Sequence, residues 1–149
     1  MVKEGQPAPE FALPDDGGRV VSLGDYAGHK FVLYFYPKDD TPGCTMQACE
    51  FRDEFAEFRT RGIEVLGVSA DSPDSHTKFK SKYGLNFPLL SDPERKAIKA
   101  YGVWKEKNMY GRKYMGIERT TFIIDGEGKI ARVCQARRKQ PAVHSEQPS

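Results

Sequence analysis

Two cysteines, Cys44 and Cys49, are separated by four residues at the point where the sequence changes from a strand pattern to a helix pattern. Residues 31–36 form a continuous apolar and aromatic run, which is typical of a central strand covered on both faces. Downstream, apolar side chains recur at helical spacing until Gly62, which marks the end of a helix. Cys44 is therefore predicted at a helix N-terminus, where backbone N–H groups favour an anion such as a thiolate.

The reactivity of a thiol at such a position depends on more than its ionisation. An ordinary thiol, with a pKa of about 8.5, is only about 3% thiolate near pH 7, whereas a pKa of about 6 would make it roughly 90% thiolate. Nucleophilicity falls as basicity falls, so the net gain in rate is a few-fold at most. A fast thiol nucleophile therefore needs neighbouring groups that stabilise the charge developing on the attacked atom and on the leaving group.

Two side chains are candidates for that stabilising role. Thr41, three residues before Cys44, offers a hydroxyl that can donate or accept a hydrogen bond. Arg119 immediately precedes an apolar strand pattern, and its permanently charged planar fork can donate to the sulfur and to a substrate together. Alone, Thr41 is typical of a turn or a cap and Arg119 of a surface ion pair, so only their combination with Cys44 indicates a site. Pro37 is interpreted as a residue that shapes and shields the loop.

The remaining residues with chemical potential are interpreted as structural. His76 is predicted to be a solvated residue on a helix face, and Trp104 and the tyrosines are predicted to pack rather than to form a site. Cys134 is interpreted as a structural or adventitious thiol. A metal site is the weaker interpretation of the cysteines, because four ligands at zinc spacing are absent and no histidine pairs with a cysteine in spacing.

The size and composition of the chain fit a small intracellular enzyme. Its 149 residues suit one domain with a proper core. The 23 Lys and Arg residues are interspersed with 21 Asp and Glu residues, and a net charge of +2 argues against nucleic-acid or membrane binding. No apolar signal segment or membrane-spanning stretch is present in the sequence. Three cysteines are too few for a secreted disulfide scaffold, so a cytoplasmic location is expected.

Strand and helix patterns alternate along the chain. They predict a mixed sheet with helices on both faces, in which the strand over 63–70 is parallel to the strand over 31–36. The predicted elements are a hairpin over 11–23, strands over 31–36 and 63–70, a helix ending near Tyr83, a strand over 86–90, a helix over 93–101 with Asp92 as its N-cap, and a hairpin formed by 120–124 and 129–133.

The spacing of Pro37, Thr41 and Cys44 gives a PxxxTxxC pattern that continues as CTMQAC to Cys49, and IERTTFIID surrounds Arg119. These motifs resemble the peroxiredoxin family, and the C-x4-C spacing resembles its bacterioferritin comigratory protein or peroxiredoxin Q branch, an atypical 2-Cys type. The resemblance extends over residues 2–133. It implies an α/β thioredoxin-like fold, with a central mixed β-sheet flanked by helices and an N-terminal β-hairpin.

The resemblance also implies an activity. The chain would be a thiol-dependent peroxidase that reduces hydrogen peroxide and alkyl hydroperoxides, with no metal or organic cofactor. Cys44 would be the peroxidatic cysteine and Cys49 the resolving cysteine, which close an intramolecular disulfide. Thr41, Arg119 and Pro37 would form the peroxide pocket. Thioredoxin or a similar dithiol would supply the electrons that reduce this disulfide.

The C-terminal residues depart from this pattern. Residues 1–134 are predicted to form the domain and residues 135–149 a polar, disordered tail, whereas the branch usually finishes with an amphipathic helix. Two prolines and few apolar residues do not predict a helix that covers a core. Either another chain covers that face or the tail is foreign to the ancestral pattern. A monomer is expected, or a dimer if the face is exposed.

Two other functions remain open at the level of sequence. A disulfide oxidoreductase of the same fold would favour C-x-x-C, in which both sulfurs meet at the helix start, so the C-x4-C spacing argues against it. A redox-sensing or holdase-like module would use oxidation of Cys44 only as a switch. It would oxidise without rapid turnover.

Overall fold

A computed structural model describes residues 1–135 of the chain, and in that part strands and helices alternate. The elements are β1 (Ala12–Pro14), β2 (Val20–Ser22), β3 (Phe31–Phe35), α1 (Pro42–Thr60), β4 (Glu64–Ser69), α2 (Pro73–Tyr83), β5 (Leu89–Ser91), α3 (Lys96–Ala100), β6 (Trp104–Met109), β7 (Arg112–Ile117), β8 (Thr120–Ile124) and β9 (Ile130–Gln135). The tail predicted over 135–149 lies, beyond Gln135, outside the described residues.

The central sheet has five strands in the order β5-β4-β3-β8-β9. β3 pairs in parallel with β4, and β4 with β5, whereas β8 is antiparallel to both β3 and β9. All five residues of β3 are buried, as the apolar run predicted. The predicted mixed sheet and the parallel β3-α1-β4 unit are therefore confirmed.

The side chains of β3 alternate between two apolar clusters, one on each face of the sheet. Phe31, Leu33 and Phe35 pack with residues of α3 and with the N-terminal segment. Val32 and Tyr34 face the other way and pack with residues of α1 and α2. Helices thus cover both faces, and β3 and α1 meet on the face that carries Cys44.

The N-terminal hairpin is also as predicted. β1 and β2 pair antiparallel, and the Asp15 carboxylate accepts hydrogen bonds from the backbone N–H groups of Gly17 and Arg19 at 2.9 Å each. Leu13 and Val21 point into the apolar cluster on the α3 side of the sheet. The hairpin therefore helps to cover the face of the sheet opposite α1.

The third helix is shorter than predicted. It begins at Lys96 rather than at residue 93, because a turn comes first in which Arg95 takes a left-handed conformation with φ of 61°. The Asp92 carboxylate still accepts hydrogen bonds from the N–H groups of Lys96 and Ile98, at 2.9 and 2.8 Å. Asp92 thus stabilises the helix start from outside the N-cap position. The short strand predicted over 86–90 is found at Leu89–Ser91.

The β6-β7 hairpin was not predicted. Its two strands form a separate sheet, joined by Tyr110 and Gly111, which both have positive φ values of 53° and 78°. Seven of the twelve strand residues are exposed and five are charged, so the strands lack the apolar alternation that identifies a half-buried strand. The hairpin matters for the site because β7 ends at Ile117, two residues before Arg119. No helix in the described residues is long and apolar enough to span a membrane.

Candidate active site

The loop from β3 to α1 places Cys44 in the first turn of the helix. Thr41 is the N-cap residue, with extended backbone angles of −109° and 155°, and Pro42 occupies the first helical position, where its missing N–H costs nothing. Cys44 is the third residue of α1 and only 1% exposed. The N–H groups at the start of a helix lack acceptors within it, so they favour negative charge on the Cys44 sulfur.

Arg119 directly precedes β8, the strand next to β3, and reaches Cys44 from there. Its Nη2 donates a hydrogen bond to Cys44 Sγ at 3.3 Å, and its Nη1 donates to Gln47 Oε1 at 2.9 Å. Gly43 lies against the guanidinium, and a Cβ at that position would stand 3.1 Å from Nη2. A glycine therefore lets the charged group approach the start of α1 closely. The pairing of Cys44 with Arg119, separated by 75 residues in sequence, is the central feature of the site.

Thr41 and Pro37 belong to the loop that leads to Cys44, and the side-chain hydrogen bond of Thr41 is to the backbone rather than to the sulfur. The Thr41 hydroxyl donates a hydrogen bond to the carbonyl oxygen of Lys38 at 2.9 Å, so its proton is engaged and its lone pairs can accept. Pro37 is half-buried where β3 gives way to the loop. Within the described residues, the structure therefore brings Cys44 and Arg119 together and places Thr41 one turn away with an acceptor to offer.

Cys49 lies farther along α1 and is a free, half-buried thiol, as Cys134 is on β9. α1 continues unbroken from Pro42 to Thr60, so the two cysteines of the motif share one regular helix. A rise of about 1.5 Å and a turn of about 100° per residue put their Cα atoms roughly 8–9 Å apart. Because a disulfide needs Cα atoms less than about 7 Å apart, this conformation does not allow a bond between the two sulfurs.

Two polar side chains, the buried Tyr34 and the half-buried Lys107, adjoin the site. The Tyr34 hydroxyl lies in the cluster that contains Cys44 and has no hydrogen-bond partner among the described residues. Burial, and secondarily the neighbouring Cys44 charge, raise the pKa of Tyr34 well above its ordinary value, so the phenol stays protonated. Lys107 of β6 donates to the Ile117 carbonyl at 2.6 Å. Burial and then the Arg119 charge lower the pKa of Lys107.

The sequence interpretation of His76 is wrong. The side chain is fully buried rather than solvated, and its Nδ1 lies 2.7 Å from Asp39 Oδ2. Asp39 belongs to the loop that leads to Thr41, and no pattern in a single sequence links two residues 37 positions apart. Gln47 was also missed, although its position three residues after Cys44 puts it on the same helix face.

The family model described as "AhpC/TSA family" matches residues 4–133, and the chain belongs to this family. The putative peroxiredoxin bcp of Coxiella burnetii is 54% identical over 132 residues, which are 89% of this chain and 87% of that protein. The peroxiredoxin Bcp of Bacillus subtilis is 51% identical over 129 residues, which are 87% of this chain and 82% of that protein.

A solved structure of the bacterioferritin comigratory protein of Xanthomonas campestris is similar throughout the fold. Its TM-score is 0.83 at 41% identity, and the match covers 89% of this chain and 87% of that one. That structure is described as giving insight into the alkyl peroxide reduction activity of the Xanthomonas protein. The fold is accordingly the thioredoxin-like fold of the peroxiredoxins, and the enzyme is a thiol peroxidase similar to Bcp and peroxiredoxin Q. These predictions of family, fold and activity are confirmed.

Proposed function

We propose that the enzyme reduces hydrogen peroxide and alkyl hydroperoxides at Cys44, with Cys49 as the resolving cysteine. The observation that carries this assignment is the 3.3 Å hydrogen bond from Arg119 Nη2 to the buried Cys44 sulfur at the start of α1. Cys49 and Cys134 are more exposed and have no comparable cation bound to sulfur among the described residues. The alkyl peroxide activity of the Xanthomonas relative supports the wider substrate class.

In the first step, the Cys44 thiolate attacks the terminal oxygen of the hydroperoxide. The S–O bond forms as the O–O bond breaks, so Cys44 becomes a sulfenic acid and the substrate leaves as an alkoxide or hydroxide that takes a proton from water. Arg119 stabilises the charge on the sulfur and on the departing oxygen, because its planar fork can donate to both. The Thr41 oxygen accepts a hydrogen bond from the peroxide O–H and thereby orients it. Pro37 shields the loop.

In the second step, the Cys49 thiolate attacks the sulfenic sulfur of Cys44. The S–S bond forms as the S–O bond breaks, and hydroxide leaves as water after protonation. The helical geometry requires the start of α1 to unwind before this step, since the two Cα atoms begin roughly 8–9 Å apart. Residues 45–51 are the segment that must open.

An external dithiol then reduces the Cys44–Cys49 disulfide and restores both thiols. We assign this role to thioredoxin or a similar dithiol, because an unwound α1 exposes a disulfide together with apolar side chains that a partner can contact. Free thiols of this kind persist in a reducing compartment, which supports our assignment of the enzyme to the cytoplasm.

A stopped-flow peroxide titration of the reduced protein tests the proposal. One equivalent of hydrogen peroxide should consume two thiols rapidly, and thioredoxin with its reductase should sustain many turnovers. A Cys134→Ser variant is the matched control, because it removes the third thiol but should leave both rates unchanged. Slow oxidation without turnover would instead support a redox-sensing protein, and would contradict the proposed cycle.

A further inference from the structure

A buried polar cluster ties the active-site loop, residues 37–41, to helix α2. Its centre is the Asp39 carboxylate, which accepts hydrogen bonds through both oxygens. The Tyr36 hydroxyl donates to Oδ1 at 2.6 Å, and Ser75 Oγ and His76 Nδ1 donate to Oδ2 at 2.8 and 2.7 Å. Burial raises the pKa of Tyr36, so its hydroxyl remains a proton donor to Asp39. None of these groups takes part in the peroxidase steps described above.

His76 makes a hydrogen bond through each of its two ring nitrogens. Its Nε2 lies 2.9 Å from the carbonyl oxygen of Leu90, which can only accept, while Nδ1 faces the Asp39 carboxylate. An ion-paired form, in which Asp39 is a carboxylate and both ring nitrogens carry a proton, satisfies each of these contacts. The side chains of His76 and Asp39 are 0% and 4% exposed, so an ion pair between them is a buried one.

A buried ion pair is a poor source of stability, because removing two charges from water cancels most of their attraction. A geometric role explains its presence better. The Asp39 backbone N–H donates to Asp71 Oδ2 at 2.8 Å, so the main chain and the side chain of the same residue are both held. Asp71 is held in turn by the Ser69 hydroxyl, also at 2.8 Å.

The position of Asp39 transmits this constraint to the reacting groups. It lies two residues before Thr41, the N-cap of α1, and the intervening Asp40 takes a left-handed φ of 56°. The Thr41 hydroxyl binds the Lys38 carbonyl on the other side of Asp39. A shift of Asp39 would therefore move Thr41 and the helix start that presents Cys44.

We propose that His76 is a positioning residue for the peroxidase reaction, whose ion pair with Asp39 holds the active-site loop so that Thr41 and Cys44 face Arg119. This inference rests on the proposed roles of Cys44 and Arg119. His76 does not contact substrate and acts only through Asp39. Because a displacement of about 1 Å at a reacting group can cost on the order of a hundred-fold in rate, the loss of the ion pair should have a large effect.

The test compares His76→Gln with the wild-type enzyme. A glutamine carries no charge, and its single nitrogen cannot donate from two sides to Asp39 and Leu90. We expect the rate constant for hydrogen peroxide, per folded molecule, to fall by roughly ten- to a hundred-fold. Alkylation of Cys44 by iodoacetamide, compared at matched thiolate fraction, should change by a few-fold at most. A purely structural role would lower the folded fraction and leave the ratio of the two rates unchanged.

Lys82→Met is the matched control. Lys82 joins the same helix to the same loop by a 2.9 Å ion pair with Asp40, but this pair is exposed to solvent. Its removal should leave both rates unchanged. If His76→Gln does not fold, Ser75→Ala replaces it, because it removes one donor to the same carboxylate oxygen. A smaller fall in the peroxide rate, with unchanged alkylation, is then expected.

A second measurement examines the ion pair without reference to activity. Nitrogen-15 spectra of the wild-type protein should show both ring nitrogens of His76 protonated at neutral pH. A singly protonated ring would overturn the inference, as would a folded His76→Gln or Ser75→Ala variant with the wild-type ratio of peroxide to alkylation rates. If the wild-type enzyme fails to oxidise Cys44 with peroxide, the proposed function fails instead, and the spectra still report on the pair.

Discussion

Phe51→Leu should speed formation of the Cys44–Cys49 disulfide, because Phe51 holds the first turns of α1 against the sheet. Its ring stacks on Tyr34 with centroids 4.6 Å apart and planes inclined by 28°. Residues 45–51 must unwind before the two sulfurs can meet, and unwinding separates this stacked pair. Whatever free energy the pair contributes to the folded helix therefore opposes resolution.

The size of the effect follows from the nature of the contact. Aromatic pairs of this geometry are worth about 0.5–1.5 kcal/mol beyond the apolar area that they bury. A leucine retains most of the apolar burial and loses the ring interaction. If opening is in equilibrium ahead of bond formation, the rate of resolution should rise by roughly two- to thirteen-fold, since RT is about 0.6 kcal/mol.

The assay separates oxidation from resolution. Reduced enzyme is mixed with one equivalent of peroxide, and acid-quenched samples are analysed by mass for sulfenic acid and disulfide over time. Phe55→Leu is the matched control: it changes a half-buried phenylalanine one turn beyond the unwinding segment, whose ring neighbours Phe87 at 6.5 Å. It should lower the free energy of unfolding without changing the rate of resolution.

Two outcomes would refute this reasoning. Equal resolution rates in Phe51→Leu and Phe55→Leu would show that opening of 45–51 does not limit the bond. Unchanged amide exchange across the same segment, on conversion of the reduced enzyme to the disulfide form, would rule out unwinding altogether. If the reasoning holds, Phe51→Leu should also resist sulfinic acid formation at high peroxide, because its sulfenic acid is captured sooner.

Three further predictions concern the site and the loop. Arg119→Met should slow reaction with peroxide by about 10²–10³-fold, the usual cost of losing a donor to developing oxyanion charge, but should slow alkylation at matched thiolate fraction far less; equal slowing would remove its role in the transition state. Cys44→Ser should abolish peroxide consumption, whereas Cys49→Ser should react once and stop as a sulfenic acid or mixed disulfide, seen by mass; sustained turnover of Cys49→Ser would reassign the resolving role. Hydrogen bonds from Tyr83, and then from Lys82, hold the pKa of Asp40 below its ordinary value of 3.8. The ionised Asp40 therefore contributes to stability above pH 3.8, and this contribution is lost as the pH falls through the lowered pKa. The difference in urea-unfolding free energy between wild type and Asp40→Asn should shrink in acid. A difference that stayed constant would refute the pairing.

The parts of the fold that could be predicted are those where one segment carries its own signal. The apolar run of β3 and the helical spacing of α1 are of this kind, and together they predicted that Cys44 lies at the start of the helix. The β6-β7 hairpin could not be predicted, because only Trp104 and Ile117, at one end of it, pack against the core, and the rest of its strands shows no apolar alternation. It nevertheless leads directly to Arg119.

The site divides in the same way. Cys44 and Thr41 lie within one local motif, and Arg119 was found because a thiol nucleophile requires a fixed cation. Asp39 and His76 could not be paired from one sequence, since a histidine on a polar helix has the same local pattern whether it faces solvent or a buried carboxylate. Only the packing of α2 against the active-site loop distinguishes the two.

The continuity of α1 links the stability of the helix to the reduction potential of its own disulfide. In the proposed cycle, closing the Cys44–Cys49 bond sacrifices helical structure, and reducing it allows that structure to re-form. Each 1.4 kcal/mol or so by which the folded helix start is stabilised should therefore raise the reduction potential by about 30 mV. A tighter helix makes the disulfide a stronger oxidant and easier for a dithiol to reduce, at the expense of slower closure. The packing of Phe51 on Tyr34 thus sets the balance between fast resolution and ready recycling.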